Sequence, residues 1–162
     1  MSWYKTAASF WGKRGAGVLY YCPEDRSVFL TLRDPDVEQG ETWGVPGGSI
    51  SGEGHFESED FESVEMDESQ IFDYALEEVV EELGHLPPHT KILGKTEFKD
   101  SGFIYTTFVV EVPKEEKENI VSNSELDWEN TDVGWHWIGG LPDNLHFGVE
   151  YVLEQTGNLQ RL

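Results

Sequence analysis

The sequence predicts an α/β fold around one core, on three observations. Gly17–Cys22 and Ser27–Leu32 are short β-type runs joined by a Pro-Glu-Asp-Arg turn, which reads as a hairpin. Ile71, Phe72, Ala75, Leu76, Val79, Val80 and Leu83 recur at helical spacing with one broad buried face. Ile92–Phe98 and Phe103–Val112 flank Asp100-Ser101-Gly102 as a second hairpin. A chain of 162 residues, 38% hydrophobic and 13% aromatic, can fill one packed core without disulfide or metal staples, so a single domain over 1–162 is expected.

The remaining elements follow in order. Trp43–Gly48 is a short extended segment entering a glycine turn, where Gly47 and Gly48 permit close backbone approach and positive φ. Ser51–Glu68 is dominated by Glu, Asp, Ser and Gly and reads as a surface insertion at about 54–68. The helix spans Glu68–Leu83. Asp67 or Ser69 caps its start, Asp67 with Gln70 at capping-box spacing, and Gly84 suits the left-handed turn that ends it. Pro113–Glu129 is polar with few apolar anchors and is expected to be a mobile loop. Trp135–Ile138 reads as a strand. Leu145–Glu154, after Pro142, is amphipathic, with Leu145, Val149, Val152 and Leu153 toward one face.

Bulk properties exclude several functions. The 32 acidic against 11 basic residues give a formal charge of −21, which repels polyanions over a screened distance of about 10 Å and excludes broad nucleic-acid binding. A small phosphorylated nucleotide remains admissible, because bound cations invert the local field. The single cysteine, Cys22, has no internal partner, no run approaches the roughly 18 apolar residues of a membrane helix, and no signal-peptide pattern opens the chain. A cytoplasmic protein is expected, and a homodimer is allowed.

The chemistry concentrates on the helix, where Glu77, Glu78, Glu81 and Glu82 are expected to share the side opposite the apolar stripe. At an effective dielectric near 20, two charges about 5.5 Å apart repel by roughly 3 kcal/mol, whereas solvated like-charged helix pairs cost only a few tenths. Alone, the helix would read as a wet acidic face. It does not stand alone: the Pro46-Gly47-Gly48 turn adds accessible backbone carbonyls, and hard cations take carbonyl and carboxylate oxygens together.

Taken jointly, Trp43–Gly48, Gly52-Glu53, Ala75–Gly84 and Trp135–Ile138 resemble the signature of the Nudix hydrolase family. The resemblance implies an α/β/α sandwich with a mixed β-sheet, Mg²⁺ or Mn²⁺ as cofactor, and hydrolysis of a nucleoside diphosphate linked to another moiety, with nucleoside triphosphates or ADP-ribose as the main candidates. By the same implication Glu78 ligates metal and serves as a base, Glu81 and Glu82 are the paired metal-binding glutamates, the Gly47 carbonyl joins the metal shell, and Gly48 continues the turn toward substrate. Glu53 is the nearest counterpart of the first glutamate of the family's box. A glutamate of the later loop, such as Glu115, Glu116 or Glu125, is an alternative base. Arg33, and less directly Arg14, would meet the phosphates. Trp3, Phe10, Trp11, Trp43 and Trp137 could stack a base.

The departures are specific. Four residues separate Gly48 from Glu53 where the box has five, and 23 residues separate Glu53 from Glu77 where the box has seven. Glu77 stands where the family usually has arginine, and His85 where it has an aliphatic residue. Charge reversal at Glu77 opens a second reading, a catalytically weak or inactive Nudix domain that binds a nucleotide as a sensor. A third is an acidic interaction protein whose glutamates are only solvated.

Overall fold

The structure is a computed structural model that describes residues 14–49 and 67–162. Glu53, Trp3, Phe10, Trp11 and all but the last two residues of the expected insertion lie outside the described residues. Those last two belong to a helix: Asp67 caps it and Glu68 opens it.

A mixed sheet holds the fold together. β1 (Arg14–Cys22) lies parallel to β6 (Phe103–Glu111), while β5 (Ile92–Asp100) is antiparallel to β6 at the edge. β2 (Ser27–Arg33) pairs β1 only at Tyr20–Cys22, because the two strands then separate. The glycine segment fills the opening. β3 (Trp43–Gly44) pairs Leu32 and Thr31 of β2, and β4 (Gly47–Ser49) pairs Gly17 to Gly15 of β1. β7 (Asn130–Trp137) covers the other side of β2, a strand that starts five residues earlier than the Trp135–Ile138 run suggests.

Alternation along β1 divides the core into two layers, as period-two side-chain geometry requires. Ala16, Val18 and Tyr20 point to one face with Phe29, Phe108 and Val110, under Ile71, Ala75, Val79 and Leu83 of α1 (Glu68–Leu83). Leu19 and Tyr21 point to the other with Val28, Leu30 and Val109, under Val149, Val152 and Leu153 of α3 (Phe147–Thr156). A sheet between helices results, the α/β/α sandwich that the resemblance implied. Among the described residues no helix is long and apolar enough to cross a membrane.

α1 forms as its local signals require. The Asp67 side chain accepts from the Gln70 N–H at 2.8 Å while the Gln70 side chain accepts from the Asp67 N–H at 2.9 Å, and Gly84 ends the helix at φ 76°. Pro113–Glu129, in contrast, is not a plain loop. It forms a 3₁₀ turn at Lys114–Glu116 and the helix α2 (Lys117–Asn123). One apolar anchor suffices: Ile120 is fully buried in the α1-side core, and the Trp135 indole donates to the Lys117 carbonyl at 3.1 Å. The amphipathic stretch after Pro142 starts two residues later than its apolar pattern suggests. His146 is the N-cap of α3, its Nδ1 accepting from the Gly148 N–H at 2.9 Å, and Leu145 packs from outside the helix.

That cap makes stability sensitive to acid. Burial, and after it the Arg33 charge, hold the His146 imidazole down at about 3. The unfolded chain therefore binds a proton between pH 6.5 and 3 that the folded chain refuses, so the contribution is complete above the unfolded value and is lost as pH falls. Relative to pH 7, the loss at pH 5 should be about 2 kcal/mol. Urea melts at pH 7 and 5 on wild type and His146→Asn, which keeps an N-cap acceptor, should show the difference shrinking in the variant. An equal loss in both proteins would remove His146 as its source.

Candidate functional site

The opening between β1 and β2 is where Glu78 and Glu82 meet Gly47 and Gly48. α1 crosses the sheet so that its last two turns reach β4, and the four glutamates, expected on one wet side, divide. Glu77 and Glu81 are exposed, Glu78 is half-buried, and Glu82 is only 7% exposed. The reason is the glycine segment. Glu82 Oε2 accepts from the Gly47 N–H at 2.8 Å, which turns that carboxylate inward as a tie between α1 and β4.

Gly47 and Gly48 lie in an extended strand rather than in the positive-φ turn that was expected; among the described glycines only Gly84, Gly102 and Gly157 have positive φ. Close approach is what they supply. A Cβ on Gly47 would stand 2.5 Å from the Ala16 carbonyl oxygen, the Gly17 Cα and the Tyr105 hydroxyl. A Cβ on Gly48 would stand 2.0 Å from Glu78 Oε1.

The electrostatics show crowding. Glu82 is pushed up to about 8, first by burial and further by the Glu129 and Asp127 charges, against the Gly47 and Asn130 hydrogen bonds that pull it down. Burial and then the neighbouring Glu81, Glu129 and Glu77 carboxylates push Glu78 up to about 7. Glu129 is raised by burial and by Asp127, with Arg33 opposing. Tyr105, its hydroxyl beside Gly47, is raised by burial and by Glu82 and Glu78. Such a set of oxygens gathered against mutual repulsion suits a hard cation. Among the described residues no three of these side chains already stand as a closed chelate.

Glu129 and Asn130 are the two members that the sequence did not announce. The segment before β7 pairs with the last carbonyls of α1, Glu125 N–H to Leu83 O at 2.6 Å and Asp127 N–H to Glu82 O at 3.2 Å, which satisfies orphan acceptors at the helix end. Glu129 and Asn130 are carried in behind it. Asn130 Nδ2 donates to Glu82 Oε1 at 3.0 Å and to Asp127 Oδ1 at 3.1 Å. Their only sequence signal was proximity to the Trp135 strand.

The other expected residues fall as follows. Arg33 ends β2 opposite Asn130, donates Nε to the Glu38 carbonyl at 2.8 Å, and its charge reaches Glu129, Tyr105 and His146. Arg14 begins β1, and its carbonyl accepts from Ser49 at 3.4 Å. Glu125 is exposed, its Cβ over Gly84 at the end of α1. Glu115 and Glu116 lie by the β1–β2 turn, where the Lys114 N–H donates to Glu24 and Lys117 binds Asp25. That turn is at the far end of β1 from Gly17, roughly 17 Å away at about 3.3 Å per residue. His85 bonds Ser124 at 3.2 Å, and the neighbouring Leu86 is half exposed. Trp43 packs edge-on against His136, whereas Trp137 and Trp128 are 62% and 75% exposed.

No family model matches the sequence, and no curated protein does. Solved structures do. A MutT NUDIX hydrolase from Burkholderia pseudomallei superposes with a TM-score of 0.58 at 19% identity, over 88% of this chain and 96% of that one. The fold is the Nudix fold. A Nudix hydrolase from M. smegmatis, RenU, matches with a TM-score of 0.56 at 18% identity, over 93% and 88% of the two chains. The NUDIX domain of Shewanella oneidensis NrtR, complexed with ADP ribose, matches with a TM-score of 0.53 at 16% identity, over 91% and 87%. In this Nudix-fold chain the carboxylate helix and the glycine segment are joined by the Gly47–Glu82 hydrogen bond.

Proposed function

We propose that this Nudix-fold protein hydrolyses a nucleoside diphosphate linked to another moiety, with Mg²⁺ or Mn²⁺ held at Glu78, Glu81 and Glu82. The observation that carries the reading is that Glu78 closes the Cβ position of Gly48 and Glu82 accepts from the Gly47 N–H, with the Glu129 charge acting on both carboxylates. A bound divalent cation would neutralise charge on the diphosphate and polarise its phosphorus toward water. The donors present fit it: carboxylates and the Gly47 carbonyl are hard oxygens.

The chain's own residues supply the rest. Glu82, tied to the Gly47 N–H, fixes the distance between helix and glycine segment, so the carboxylates and backbone that flank a diphosphate keep one geometry. Glu78, which faces Gly48, and Glu129, which precedes β7 and whose charge acts on Glu78, are the carboxylates to which this reading gives the proton of the attacking water. Arg33 offers positive charge among them, which opposes self-repulsion and suits a phosphate oxygen. Bare Gly48 leaves its strand open to close approach.

The test is product release from nucleoside triphosphates, dinucleoside polyphosphates, nucleotide sugars and ADP-ribose with Mg²⁺ and Mn²⁺, wild type beside Glu81→Gln. Glu81 is exposed, so the variant should fold normally. Turnover confined to one substrate class and lost at least 100-fold in the variant is expected. Silence in both proteins with retained nucleotide binding would select the sensor reading.

A further inference from the structure

We infer that Asn130 is a positioning residue for the carboxylate site, delivered there by a β-bulge; the inference rests on the reading of Glu82 as a cation ligand. In β7, Val133 and Trp135 pack into the α1-side core, and His136 faces Trp43 on the α3 side. Strict alternation from Val133 would send residue 131 toward α1 and residue 130 away from it. The pairing with β2 slips at that point: Leu32 stands opposite Asp132, but Arg33 stands opposite Asn130, leaving Thr131 as the extra residue. A bulge of this kind bends the strand and re-aims a side chain.

Its effect is to turn Asn130 onto the face of α1. There the side chain is 5% exposed, and Nδ2 bridges Glu82 Oε1 and Asp127 Oδ1. Glu82 is consequently gripped at both oxygens, by the Gly47 N–H on Oε2 and by Asn130 on Oε1, which leaves its rotation no freedom. Asn130 Oδ1, buried and without a hydrogen-bond partner among the described residues, lies in the same place. An amide that holds a carboxylate between two donors prepays the ordering that a cation would otherwise have to impose. Asp127 would serve less well by itself, since a carboxylate cannot donate to Glu82.

The experiment is Mn²⁺ titration followed by electron paramagnetic resonance of the free ion, well below the melting temperature, on wild type, Asn130→Ala, Asn130→Gln and Glu82→Gln. Affinity should fall at least tenfold in Asn130→Ala, with partial recovery in Asn130→Gln, which keeps an amide donor one methylene further out. A purely structural side chain would lower the melting temperature without moving the affinity of the folded protein. If Asn130→Ala does not fold, Asn130→Gln is read on the same scale, with a threefold or larger loss expected. Asn130 variants that bind as wild type while Glu82→Gln loses binding would overturn the positioning role alone. Wild type that does not bind Mn²⁺, or Glu82→Gln that binds equally well, would overturn both this inference and the ligand reading beneath it.

Discussion

Glu82→Gln is expected to lose stability and turnover together, whereas Glu81→Gln loses turnover alone. The two glutamates are adjacent in sequence and opposite in environment. Glu81 is exposed, and exchanging it for glutamine should change stability by less than about 0.5 kcal/mol. Glu82 is buried between two donors, the Gly47 N–H and Asn130 Nδ2. A carboxyl group, ionised or protonated, keeps an acceptor lone pair on each oxygen, but an amide presents one acceptor and one donor. In Glu82→Gln one buried donor must face another, which costs about 2 kcal/mol. Guanidinium melts with and without EDTA measure the stability difference, and product release measures the other. Equal stability of the two variants would mean that the Gly47 and Asn130 bonds do not hold Glu82.

The second large effect separates two neighbouring glycines. Alanine at Gly47 places a methyl 2.5 Å from Ala16 O and Gly17 Cα, backbone atoms that can retreat only if β4 leaves β1. About 3 kcal/mol of destabilisation is expected, the upper part of the overpacking range. Alanine at Gly48 meets instead the end of a flexible side chain, Glu78 Oε1 at 2.0 Å. That carboxylate can swing away, so the fold should lose no more than about 1 kcal/mol. Turnover should nevertheless fall at least tenfold, because the displaced group is a proposed ligand and proton acceptor. Denaturant melts and initial rates on both variants check the contrast; a stable, active Gly47→Ala would show that the strand pairing is looser than the geometry requires.

How far the sequence could be read depended on whether the determining contacts are local. α1 was legible to the residue because its cap, its apolar stripe and its terminating Gly84 act within one or two turns. Both hairpins were legible for the same reason. α2 was not, since a single buried residue, Ile120, and a hydrogen bond from Trp135 across 18 positions hold it. The split among the glutamates was hidden as well: only the pairing of β4 with β1 puts the Gly47 N–H where Glu82, 35 positions later, can find it. Asn130 required more still, namely a slip in strand register that period-two reasoning cannot foresee. Glycine at 47 and 48 was correctly read as a need for close approach, and positive φ was the wrong addition.

The most direct test of the central claim is the rate of product formation from the best substrate of the screen as a function of Mn²⁺ concentration, wild type beside Glu81→Gln. The rate should saturate with Mn²⁺, return to background with EDTA, and be at least 100-fold lower in the variant. Nucleotide binding with no product at any Mn²⁺ concentration, or turnover indifferent to EDTA and to Glu81, would contradict it.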